Sequence, residues 1–243
     1  MAGLSWLRDL PGSIGSGLAG LITAPERRNG ATYARAVMRD LIGVFGTAAK
    51  NRMTAAGWRK RSGEIYTLHL DEGFHAWLGL NRASKHHPLQ INPVVGLHCE
   101  PLEQLLAEFL GTKPTTAQAT LSTPVGYLTP ENRFLQLEIA AEDQAEPAAE
   151  RLHQLVTDYG LPFAHRYATA GNLLSAFATT TYVANPERRA LLIPALHYLC
   201  GESAEARVNL DQASSAYAAQ ETSVAETYRR FANRLTARLN AHD

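Results

Sequence analysis

The 243-residue sequence has only two cysteines, Cys99 and Cys200, far apart and without metal-ligand spacing. That pattern suits buried thiols in a reducing cytoplasm. Neither sign of charge is in excess, since Lys plus Arg and Asp plus Glu both number 23. No overall field therefore draws the chain to nucleic acid or to an anionic membrane. No apolar run approaches the length of a membrane-spanning helix. Catalytic signatures are missing as well: the sequence has no Walker loop, no Gly-x-Gly-x-x-Gly after a strand, no Gly-x-Ser-x-Gly elbow and no His-Glu-x-x-His. No cofactor is implied, and the balance leans away from an enzyme.

What is present is a globular composition, 45% hydrophobic and 19% charged, enough to build a core. The clearest pattern lies in residues 58–99. Asp71-Glu72-Gly73 suits a tight turn closed by a residue at positive φ. Pairing Leu70 with Phe74 sets the register. Tyr66, Leu68 and Leu70 then share a face with Phe74, Ala76, Leu78 and Leu80. Ile65, Thr67 and His69 share the other with His75, Trp77, Gly79 and Asn81. A slip of one residue would bury His69 and His75, so burial selects this register. In a third strand Leu89, Ile91, Val95 and Leu97 continue the apolar face, and Asn92, Val94, Gly96 and His98 the mixed one. Pro93 has no amide donor, which predicts an edge strand or a bulge there.

Around this meander the chain reads as three parts: an apolar arm and linker over 1–30, an α+β domain over 31–160, and a helical subdomain over 161–243. The expected fold class is α+β, an antiparallel meander sheet of four to six strands with helices on one face, followed by an all-helical C-terminal part. In the arm, Leu4, Trp6, Leu7, Leu10, Ile14, Leu18, Leu21 and Ile22 recur at near-helical spacing, interrupted by Pro11 and five glycines. Its start lacks the basic character of a secretory signal and suits packing on the body, on a partner or weakly on a membrane surface. Pro25 to Gly30 reads as the link.

Tyr33, Val37, Leu41, Val44, Phe45, Ala48 and Ala49 predict a helix over 31–57. Trp58 and the basic triplet Arg59 to Arg61 then read as a solvated strand entry. Pro101 and Gly111 bracket a helix. Short strands are expected near 121–128 and 134–139, and a helix over 148–159. Beyond 160 the pattern is helical: 163–179, then a helix opened by Asn185-Pro186 and kinked at Pro194, then 202–219 and 222–240. Gly201, Glu205-Ala206, Leu210 and Ala213 give the stretch 196–213 the look of one tetratricopeptide-type helical hairpin, with no second copy at a fixed period.

Five histidines fall within residues 69–98. The register opposes His69 and His75 directly, and His98 reaches the same region if the third strand lies beside the second. Those imidazoles are a candidate zinc or copper set. The face lacks a carboxylate except at strand ends, and cross-strand histidine pairs are common on half-exposed faces. A metal-dependent hydrolase or nuclease is therefore the alternative reading. The candidate partner-binding surface is the mixed face with the following loop: His69, His75, Trp77, Arg82, Lys85, His86 and His87.

The phrases "GWRKRSGEIY", "WLGLN" and "INPVVGLHCEPLE", within Met38 to Gly111, resemble a bacterial group of uncharacterised α/β domains. Some members resemble immunity partners of polymorphic toxins. The likeness covers under half of the chain and implies partner binding more than catalysis: a non-enzymatic, cytoplasmic protein-binding module of an immunity or defence system. It carries no site residues with it.

Overall fold

The computed structural model describes residues 24–241, apart from 72, 84–86, 180–181, 183–184 and 218. The apolar arm thus lies outside the described residues. The chain divides between Val37 and Met38. Of the first unit, the described part is the opening of helix α1, Ala24–Ala55. The stretch 25–30 is therefore not a linker but the first turns of a helix. Pro25 is tolerated there because a first-turn N–H has no helical acceptor.

The second unit takes the rest. In its share of α1, Leu41, Phe45, Ala48, Ala49 and Met53 are buried, while Val44 falls outside that stripe and is 37% exposed. The helix stops at Gly57, whose φ is 86°, and Trp58 donates its N–H back to the Met53 carbonyl at 2.9 Å. Strands β1 (Arg59–Lys60), β2 (Ile65–Asp71), β3 (Phe74–Ala83) and β4 (Leu89–Cys99) then form an antiparallel meander. β5 (Leu121–Pro124) and β6 (Leu137–Ile139) both pair with the far side of β4.

The hairpin register follows the period-two pattern: Tyr66 opposes Leu78, Leu68 opposes Ala76 and His69 opposes His75. The turn differs by one residue. Asp71, not Leu70, pairs with Phe74, and the ladder shifts between His69 and Asp71. Gly73 holds φ at 81°, and a Cβ there would lie 2.8 Å from Pro101 Cδ, so glycine is needed on both counts. Its carbonyl accepts the Glu100 N–H at 2.8 Å and thereby anchors the next helix.

Pro93 does not mark an edge. β4 is central, and Pro93 opposes Leu80 of β3. The Leu80 N–H goes the other way, to Glu64 at 3.0 Å. Leu80 and Pro93 are therefore a non-hydrogen-bonded pair, and the nitrogen of Pro93 faces the far side of β4. There β6 covers Leu89 to Ile91 and β5 covers Val94 to Leu97. The proline sits at the break between them, where no ladder bond is lost.

Tyr66, Leu78, Leu89, Ile91, Val95 and Leu97 are buried on one face of the sheet. Helices cover it. Ile42 and Phe45 of α1 share a crevice with Leu80, Leu89 and Ile91. α3 (Ala145–Leu155) passes through a π-type turn at Val156–Gly160 into α4 (Leu161–Tyr167), which packs on β3 and β4. A Cβ on Gly160 would stand 2.8 Å from Val95 Cγ1, so this backbone presses on β4 itself. The expected boundary at 160 is thus no division: the helical C-terminal part continues the same unit.

The helix expected over 163–179 is broken. Thr169 caps α5 (Ala170–Phe177) by accepting the Asn172 N–H. α2 (Glu100–Leu110) follows β4 without a loop and is flanked by α6 (Pro186–Leu199) and α8 (Ser223–Asn240). Arg234 of α8 donates to the carbonyls of Glu108 and Phe109 at 2.8 and 2.9 Å, satisfying the end of α2. α7 (Ser203–Tyr217) completes the hairpin with α6.

Candidate functional site

Direct opposition in adjoining strands lines up three imidazoles on the mixed face. His69 opposes His75, and His75 opposes His98. Their ring centroids are 5.3 and 6.3 Å apart. Exposure falls along the row, from exposed His69 to His98 at 3%. His75 Nε2 donates to Glu100 at 3.1 Å, a carboxylate from the strand end. His98 Nδ1 donates to the Gln118 carbonyl at 3.0 Å. Burial holds the His98 imidazole below its ordinary pKa, against the opposing pull of that carbonyl and of Glu103. Among the described residues, no group of three or more His, Cys, Asp or Glu is arranged to hold a metal ion. The row runs across three strands, and its two less exposed members, His75 and His98, are committed to protein partners.

Trp77 is not on an open surface. It is buried at 9% exposure, and its Nε1 donates to the Thr116 carbonyl at 2.9 Å. The sheet makes room for the indole with glycine. A Cβ on Gly79, two residues along the same face, would lie 2.3 Å from the ring. The cross-strand neighbour of Trp77 is Gly96.

The Thr-rich stretch 112–120 is the cover. It is tied down by Trp77, by His98, and by the Thr120 N–H to the Leu97 carbonyl at 2.8 Å. A further chain runs from the Cys99 N–H to Thr120 Oγ1, from that hydroxyl to Glu103 at 2.8 Å, and from Arg188 to the same carboxylate at 2.7 Å. The Arg188 and Glu103 side chains are 21% and 12% exposed, a shielded pair. Trp77, Tyr182, Asn185 and Arg188 border a cleft of about 260 Å³ beside this cover. Sequence alone gave no signal for Arg188 with Glu103, because 85 positions separate them.

The remaining candidates disperse. Arg82 pairs with Glu64 at 3.0 Å, and His87 donates to the Ala140 carbonyl at 2.9 Å. Lys85 and His86 lie outside the described residues. The basic triplet is a strand entry: Arg59 and Lys60 form β1, and Arg61 donates to Thr67 at 2.9 Å. Cys99 is buried, but Cys200 is exposed.

The residues that gave the helical hairpin its look do what small residues do at a close approach. Gly201 turns the chain at φ 76°, and Ala206 and Leu210 are buried between helices. On the outer side of α6 and α7 lies an open groove of about 390 Å³. Pro186, Ala190, Ile193, Pro194, Ala213 and Ala216 line it, with Asn209, Gln212 and Arg189. Among these described lining residues Arg189 alone is charged.

No family model, curated protein or solved structure matches the chain. No described helix is long and apolar enough to cross a membrane.

Proposed function

We propose that this chain is a non-enzymatic protein-binding module that works in the cytoplasm as a component of a bacterial immunity or defence system. The observation that carries the reading is the open groove along the α6–α7 hairpin. A packed helical hairpin with small residues at its approach offers a pre-formed concave surface, the usual form of peptide recognition on helical repeats. This moves the contact surface away from the sheet, where Trp77 lies under the 112–120 cover. The test is purification of the untagged chain from its own host, followed by mass spectrometry of what accompanies it. A stoichiometric protein partner is expected. Recovery of the bare chain, both from lysate and on co-expression with neighbouring genes, would sink the reading.

A further inference from the structure

We infer that the α6–α7 groove takes a partner segment in which an Asp or Glu is flanked by aliphatic residues. The inference rests on the binding reading and specifies the ligand chemistry. Arg189 Nε is buried and has no hydrogen-bond partner among the described residues. Among the described residues lining the groove there is no carboxylate to meet it. A guanidinium at the wall of a groove whose other described lining residues are uncharged is complementary to a ligand carboxylate. Arg188, its neighbour, is by contrast paired with Glu103 at 2.7 Å.

Next to Arg189 the groove also offers an acceptor. Pro194 has no N–H, so the Ala190 carbonyl lacks its usual helical donor, and both residues line the groove. A donor on the ligand, such as a backbone N–H, answers that carbonyl. Ile193 of α6, with Ala213 and Ala216 of α7, gives the groove apolar lining suited to aliphatic side chains. One segment can therefore present a carboxylate, a donor and aliphatic groups to the groove.

The test uses the full chain as bait for a displayed library of random peptides, with counter-selection on Arg189→Gln. Enriched peptides should carry an acidic residue at one fixed position, with aliphatic residues beside it. A selected peptide should bind Arg189→Gln about tenfold more weakly, and Arg189→Lys should recover part of the loss. Changing the peptide's acidic residue to its amide should cost a similar factor on the unaltered chain and nothing further on Arg189→Gln. Failure of any peptide to enrich, enrichment without a fixed acidic position, or equal binding by Arg189→Gln would overturn the inference. A native partner that binds Arg189→Gln undiminished would overturn it while leaving the binding reading intact. Arg189-dependent peptides from a chain that captures no native partner would uphold the groove and defeat that reading.

Discussion

Replacing Tyr66 with phenylalanine should make the protein more stable. Tyr66 is fully buried on the helix-covered face of the sheet, and its hydroxyl has no hydrogen-bond partner among the described residues. Removing a buried, unpaired hydroxyl while keeping the ring relieves a desolvation cost of about 1–3 kcal/mol. A net gain of about 1–2 kcal/mol is expected, because the ring's packing is retained. In a protein of this size that corresponds to a rise in Tm of roughly 2–8 °C. Urea unfolding followed by far-UV circular dichroism should show a higher midpoint with an unchanged slope. Alkaline pH gives an independent check. Burial, assisted by the charge of Glu64, pushes the Tyr66 phenol up to about 12. An acid whose folded pKa exceeds the ordinary value of about 10 favours the native state fully below pH 10. That contribution is lost as pH climbs from 10 toward 12, by close to 3 kcal/mol at about 1.36 per unit. Tyr66→Phe should lack this part of the alkaline decline. A variant destabilised by more than about 1 kcal/mol, or one with an identical alkaline limb, would refute the reasoning.

Gly96→Ala should destabilise by about 3 kcal/mol or more, because the new Cβ would stand 2.3 Å from the Leu121 carbonyl and force β4 and β5 apart. Thermal unfolding measures the loss, and a change within about 0.5 kcal/mol would contradict the close approach. Gly43→Ala should do the opposite. It sits in α1 with open space around it, so relief of backbone entropy should raise stability by about 0.5–1 kcal/mol in the same assay. His98 should give an acid limb. Its folded pKa is lowered, so the unfolded chain binds the proton first, and stability is full above about pH 6.5 and falls as pH drops below it. His98→Asn keeps a donor for the Gln118 carbonyl and should flatten that limb. An unchanged difference between pH 7 and pH 5 would count against a neutral buried imidazole.

Much of the sheet was legible because alternation is a strict signal. Only one register of 65–80 buries Tyr66, Leu78 and Leu80 together, and that register also sets His69 against His75. Pro93 misled because a missing donor has two remedies, an edge or a gap between two short partners. Only the tertiary arrangement chooses the gap. Thr169 lies inside an apolar-periodic stretch, and its side chain's preference for capping outweighed the periodicity. The burial of Trp77 was hidden for another reason. Its cover is a polar, Thr-rich loop held through backbone carbonyls, which leave no mark in side-chain pattern. The α6 and α7 hairpin was visible from its small residues. The unpartnered state of Arg189 was not, since it depends on what fails to come near it in space.

The break opposite Pro93 also bears on how this protein can change. β4 spans 11 residues, and its far side is served by strands of four and three residues rather than by one long neighbour. The chain between them leaves the ladder, and residues 130–134 at its outer reach are all exposed. None of these five residues takes part in a rung of the sheet. The proline thus acts as an expansion joint. It gives the sheet one position where the chain departs to exposed residues between two short partners of the same strand.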